Sequence, residues 1–316
     1  MTAYLVRRGL QTIPLLLLVT FLTFSLLLFL PGDPVTSLLS QGETLDPEIV
    51  EAYRKELHLD EPIPVQYGYW LRRAMVGDFG DSTQTRKPVS EELRSRIPAT
   101  LQIGLAGFVA GLLIGVPAGI AAAVWHNTVI DRVVTMFSVA GVAVPGFWFG
   151  IMLILLFSVK LRWLPALGFE RITSNPGEAL KLMILPVTVI GWELSAVVTR
   201  QLRSSMLEVL RQDYIRTARA KGLHERRVVW LHGLRNALLP VVTVLGLLLG
   251  RILAGAVVVE TIFAIPGVGR LLVGSVRTND FPVVQAIVLM VALSVVFMNI
   301  VTDVVYAALD PRIRYS

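Results

Sequence analysis

Three stretches of this chain, Gly9 to Leu30, Ala99 to Trp125 and Val133 to Val159, contain no charged side chain. At 1.5 Å rise per residue each is long enough to cross the roughly 30 Å hydrocarbon core of a bilayer as a helix. Three further apolar runs hold one ionisable residue apiece: Leu182 to Thr199 with Glu193, Asn236 to Val259 with Arg251, and Val283 to Leu309 with Asp303. A chain that is 54% hydrophobic and 16% charged carries more apolar surface than one water-soluble core can bury. The expected fold is all-α and polytopic, with six transmembrane helices and both termini on one side.

The first run is preceded by Arg7 and Arg8, but it is long for a secretory signal. Leu30-Pro31-Gly32-Asp33-Pro34 also offers no small-residue cleavage site, so an uncleaved first helix is expected over 1–30. With the termini inside, the internal segments (1–8, 126–132, 200–235, 310–316) hold 14 Lys and Arg in 58 residues, and the external ones hold 14 in 113. That asymmetry predicts cytoplasmic termini, including the tail 310–316. Segment 31–98, with 12 acidic and 8 basic residues, reads as a small external subdomain ahead of a five-helix core over 99–309. Within it Asp46-Pro47-Glu48 looks like a helix start, with Ile49, Val50, Tyr53 and Leu57 at helical spacing, and Gly77-Asp78-Phe79-Gly80-Asp81 reads as a turn. A weak echo between 184–191 and 238–246 is what apolar composition alone can produce.

Several chemistries drop out. No cysteine is present, so thiol catalysis, disulfides and Cys-ligated metals are excluded. His58, His126, His224 and His232 are scattered and lie outside the apolar runs, which leaves little for metal binding. No G-x-x-x-x-G-K-[ST] phosphate cradle occurs, and no Ser-His-Asp set is suggested, so the chain is not expected to be an enzyme or to hold a cofactor itself. The glycines from Gly104 to Gly119 lie within a span, where small residues let helices approach closely. The net charge of +6 does not point to nucleic acid, because segment 200–235 alone carries that net charge on the inner side.

That segment is longer and more ordered in its patterning than a connector requires. Met206, Leu207, Leu210, Tyr214, Ala218 and Ala220 make a helical apolar stripe, Gly222 is placed as a helix terminator, and a second short helix fits Val228 to Leu234. Attraction of arginines to anionic lipid headgroups explains its charge. It does not explain Val228, Val229, Trp230 and Leu231, so docking to another protein is the better reading.

The run Asp213-Tyr214-Ile215-Arg216-Thr217-Ala218-Arg219-Ala220-Lys221-Gly222-Leu223, then His232-Gly233-Leu234-Arg235-Asn236-Ala237-Leu238-Leu239-Pro240, resembles the coupling loop of ABC importer permeases of the dipeptide/oligopeptide/nickel family. Similar matches run along nearly the whole chain, among them Pro31-Gly32-Asp33-Pro34, Gly77-Asp78-Phe79-Gly80, Pro98-Ala99-Thr100-Leu101, Pro145-Gly146-Phe147-Trp148, Gly255 to Phe263, Pro266 to Arg270 and Leu309 to Tyr315. The resemblance implies the type I ABC importer permease fold in a bacterial or archaeal plasma membrane. Expected partners are a second permease, two ATP-binding subunits or domains that hold ATP and Mg, an extracytoplasmic solute-binding protein, and membrane lipids. It places Asp213, Arg216, Thr217, Ala218, Ala220, Lys221, Gly222, Arg227, His232 and Arg235 in the ATPase-coupling loop. There Gly222 forms the turn, and the small Ala218 and Ala220 permit close approach. Arg216 and Thr217 stand where the general motif has Glu and Ala.

The resemblance further implies a di- or oligopeptide as solute, with nickel complexes, glutathione and oligosaccharides as alternatives. Glu193, Arg251 and Asp303 then either line the solute path or form structural pairs between helices. Pro266, Gly267 and Gly269 either meet the binding protein or simply turn the chain between spans. A proton-coupled carrier using the three intramembrane charges is the remote rival.

Overall fold

The computed structural model describes residues 2–28, 60–250, 252 and 257–309; the expected helix after Asp46, Arg251 and the 310–316 tail lie outside them. The helices are α1 (Thr2–Leu28), α2 (Ile63–Met75), α3 (Val89–Val124), α4 (Val129–Ala143), α5 (Gly146–Leu153), α6 (Pro176–Leu210), α7 (Asp213–Ala220), α8 (Arg235–Gly250), α9 (Val257–Ile262), α10 (Val268–Arg277) and α11 (Phe281–Leu309). A π-helical turn, Ile154–Lys160, extends α5, and Glu225–Arg227 with a second π turn, Val228–Leu234, leads into α8. Among the described residues no β-strand forms.

The centre of the bundle is the pair α3 and α6, with α4 against α6, α8 against α6 and α11, and α1 along α11. The glycine row permits the α3/α6 contact. A Cβ on Gly107 would lie 2.5 Å from Ile190, one on Gly111 2.3 Å from Leu194, and one on Gly115 2.9 Å from the Ser195 carbonyl oxygen. At Gly115 the backbones come close enough for the Thr199 hydroxyl to donate to the Gly115 carbonyl at 3.2 Å. A Gly111→Val substitution is therefore expected to cost about 1–3 kcal/mol by overpacking, read as a lower melting temperature of the detergent-solubilised permease.

Helices α3, α6, α8 with its leading turns, and α11 are each long and apolar enough to cross a membrane. Together with α1 and the α4/α5 pair they give the six spans expected from the sequence. The run Val133 to Val159, expected as one plain span, is instead bent by 102° between α4 and α5. The cause is local: Pro145 has no N–H to donate, and its ring forces Val144 into an extended conformation with ψ 121°. Two other spans run past their expected ends. α3 starts at Val89, ahead of Ala99, and α6 continues to Leu210, so residues 200–210 are helix rather than loop.

The described part of segment 31–98 packs on the helices. Tyr67 and Trp70 of α2 stack on each other and meet Phe21 and Phe24 of α1, and the Tyr67 hydroxyl lies 2.7 Å from the Thr20 hydroxyl. Gly77 and Gly80 turn the chain with φ of 81° and 76°. Beyond them the Ser82 hydroxyl and the Thr83 N–H donate to the buried Asp280 carboxylate at 2.5 and 3.1 Å.

Candidate functional site

At one end of the bundle α6 runs directly into the helix-glycine-helix unit. Helix α7 closes in a Schellman arrangement: the Gly222 N–H bonds to the Arg219 carbonyl at 2.9 Å and the Leu223 N–H to the Ala218 carbonyl at 3.3 Å. Gly222 sits at φ 78°, a left-handed conformation, with nothing within 4 Å of an added Cβ. Backbone conformation, not space, therefore requires glycine. Gly222→Ala is expected to cost about 1 kcal/mol and Gly222→Pro, with φ fixed near −65°, considerably more. Limited proteolysis of the solubilised permease, with cleavage rising between 220 and 226 in that order, checks it.

The unit is rooted inward by Ile215, Ala218 and Val228, which form a small buried cluster, while Val229 joins Leu202, Met206, Ala237 and Val241 in the main core. Its outer surface is different: Trp230 is 55% exposed, Leu231 52% and Tyr214 44%. Around these lie exposed Asp213, Arg216, Thr217, Arg219, Ala220, Lys221, Arg227 and Arg235, with His232 half-buried. Arg219 forks onto Glu225 at 2.7 and 3.1 Å across the glycine turn, and this bond holds the Glu225 carboxyl below its ordinary range. Asn236 donates to the Tyr214 hydroxyl at 2.9 Å, fixing that ring beside the start of α8. Ala218 is only 7% exposed, so its small side chain admits Val228 from within the unit and presents no surface to a partner.

A second polar cluster braces this end. Asp131, the acid in the first turn of α4, is buried and accepts from Nε and Nη2 of Arg203 on α6 at 2.6 and 2.9 Å, and from the Asn127 N–H at 2.9 Å. The His126 ring nitrogen lies 3.0 Å away. Sequence reading missed this pair, because 72 residues separate its members and neither stands in a motif. The one available signal was an acid placed just after a short inter-span loop.

At the opposite end a carboxylate organises the chain around Pro266. Glu260 is fully buried; it accepts from the Thr100 hydroxyl at 2.6 Å and from the Arg270 N–H at 2.9 Å, while the same Thr100 oxygen accepts from the Val268 N–H at 2.8 Å. Gly267 and Gly269 are buried against this node and against Val257, and Pro266 is half-buried. Of the three residues weighed as a binding-protein surface, the two glycines are buried and shape the loop, and Pro266 is the more exposed. Thr100, Glu260 and the backbone of Val268 and Arg270, from three segments singled out separately in the sequence, thus meet at one hydrogen-bonded point.

The intramembrane acids are not gathered into one cluster. Glu193 is exposed at the middle of α6, and Asp303 is half-buried near the end of α11. Among the described residues no group of three or more His, Cys, Asp or Glu is placed to hold a metal ion.

Comparison with known families accounts for this architecture. Residues 115–315 match the family described as the inner membrane component of binding-protein-dependent transport systems, and residues 1–104 match the N-terminal membrane component of such systems. The chain belongs to this permease family. The permease is 44% identical over 316 residues to the glutathione transport system permease protein GsiC of Salmonella typhi, with 100% of each chain covered. It is 43% identical, with the same coverage, to the protein of that name from Escherichia coli (strain K12). The methionine ABC transporter MetNI in an inward-facing conformation shares the fold, with a TM-score of 0.54 at 16% identity over 69% of the permease and 96% of that chain. The permease is therefore a multi-pass membrane subunit of an ABC importer with the type I fold, and its part in the system is transport.

Proposed function

We propose that this permease forms half of the solute path of an importer for a small peptide, with glutathione foremost, and that residues 213–235 receive the motion of an ATP-binding subunit. The observation that carries the solute is the full-length 44% identity to glutathione permeases. It shifts the expectation from di- and oligopeptides in general toward a tripeptide that bears a free amine and two carboxylates. The coupling role rests on the combination of a rigid root and an apolar outer face. Ile215, Val228 and Val229 tie the unit to the core, and Trp230 and Leu231 stay exposed.

A push on the unit is passed along α6, because Leu202 and Met206 are buried in the same cluster as Val229. The Arg203 to Asp131 bond carries it on to α4. In this reading the unit and both termini face the cytoplasm. A second permease completes the path, two ATP-binding subunits supply ATP and Mg, and a solute-binding protein delivers from outside. Closure of the ATPase pair would draw the two coupling units together and switch the path between inward and outward access.

The test is gentle solubilisation of the tagged permease, identification of co-purifying chains by mass spectrometry, and ATP-dependent uptake of labelled glutathione after reconstitution. Recovery of a second permease with ATPase subunits, and uptake that ignores a proton gradient, is the expected result. Uptake that persists without ATP and collapses with the gradient would overturn it in favour of a secondary carrier. Competition by dialanine, a nickel chelate or an oligosaccharide, in place of glutathione, would reassign the solute.

A further inference from the structure

The exposed face of α6 differs from that of its partner α3. On α3 the exposed positions through the span are Leu105, Val109, Leu113, Ile114 and Pro117, an apolar stripe suited to lipid. On α6 they include Glu193 within the span, and Arg200 and Ser204 follow on the same helical face just past its expected end at Thr199. A carboxylate turned toward hydrocarbon is costly, so an exposed carboxylate within a spanning helix marks a face that meets water or another polar surface.

Glu193 is the eighteenth of the 35 residues of α6 and lies within its apolar run, where such a group is poorly tolerated in lipid. Its carboxylate has no hydrogen-bond partner among the described residues, and it lies beside the break between α4 and α5. A Cβ built on Gly146, the first residue of α5, would stand 3.8 Å from Glu193 Oε2. The neighbouring Trp192 ring packs edge-on to Phe137 of α4, with ring centroids 4.1 Å apart, and lies 5.1 Å from Phe149 of α5. The 102° bend thus brings a carboxylate and an aromatic wall from three helices to one level of the bundle.

An unpaired carboxylate at such a break is the chemistry that takes an organic ammonium, through a charged hydrogen bond. Broken helices at mid-membrane are also where transport folds hold their cargo. We infer that Glu193, at the α4/α5 break, binds the protonated amino group of the solute as it passes. This rests on the proposed function in that the solute must be an amine-bearing peptide.

The experiment uses the complete reconstituted importer with ATP, and compares uptake of labelled glutathione and its N-acetyl form by wild type, Glu193→Gln and Glu193→Asp. Wild type is expected to favour the free amine. Glu193→Gln should lose roughly tenfold in uptake of glutathione at subsaturating concentration, with the N-acetyl form changed by less than about twofold. Glu193→Asp should recover part of the preference, with melting temperature unaltered. A variant that lowers stability while leaving the amine preference intact would make Glu193 a structural partner of another charge, and would overturn the inference. Equal uptake of both compounds by wild type would do the same while leaving the importer function standing. No ATP-driven uptake of either compound would remove the solute reading and this inference together.

Discussion

Replacing both Trp230 and Leu231 by aspartate is expected to abolish ATP-driven uptake while the permease still inserts and folds. The two side chains are the large apolar groups that the π turn leaves outward, whereas their neighbours Val228 and Val229 point into the protein. Buried anchors of this kind are each worth about 2 kcal/mol or more at a protein interface. Charges placed there would also have to be desolvated. A loss of at least roughly 30-fold in affinity for the ATP-binding subunit follows. It is measured by the amount of that subunit retained on the tagged permease and by uptake in proteoliposomes. Retention of the subunit at the wild-type level, with normal uptake, would remove the coupling assignment. Deleting 213–235 would be a poorer experiment, because it also strips Ile215, Val228 and Val229 from the hydrophobic clusters and so reads folding as much as coupling.

The second large effect is expected at the other end of the bundle. Glu260→Ala removes the acceptor of two buried donors, the Thr100 hydroxyl and the Arg270 N–H, and leaves a void between α3 and α10. The expected cost is about 2–5 kcal/mol, seen as a lower melting temperature and a smaller monodisperse fraction in detergent. Gly267→Ala should be comparably damaging, since its Cβ would fall 2.2 Å from the Glu260 carboxyl carbon. In the double variant the void left by Ala at 260 receives the added methyl, so the two losses should be less than additive. Full additivity would show that the two residues do not share a site. Melting temperatures unchanged in both single variants would show that the node does not hold the loop.

The local features of the fold were legible because they are decided within about twenty residues. The charge-free runs announced α3 and the spans around it, since hydrocarbon tolerates only long apolar helices. Met206 to Leu234, with a glycine between two amphipathic stretches, announced the helix-glycine-helix unit, and the structure places Gly222 in a left-handed turn. The break at Val144-Pro145 was also written in the chain. It passed unnoticed because hydropathy averages over the proline that causes it.

What hydropathy and motif could not convey is which side of each element is covered. Ala218 and Ala220 read alike in the sequence, yet one is buried under Val228 and the other is exposed. Asp131 and Arg203, Glu260 and Thr100, and Asp280 and Ser82 are joined across 72, 160 and 198 residues by bonds that exist only once the helices have packed. The sequence by itself determined that this chain crosses a membrane, where its spans lie, and which segment turns on a glycine, because bilayer thickness and backbone sterics act on neighbouring residues. Only the tertiary structure decided which polar groups are braces and which stay exposed. That division depends on what stands opposite each side chain, and nothing local encodes it.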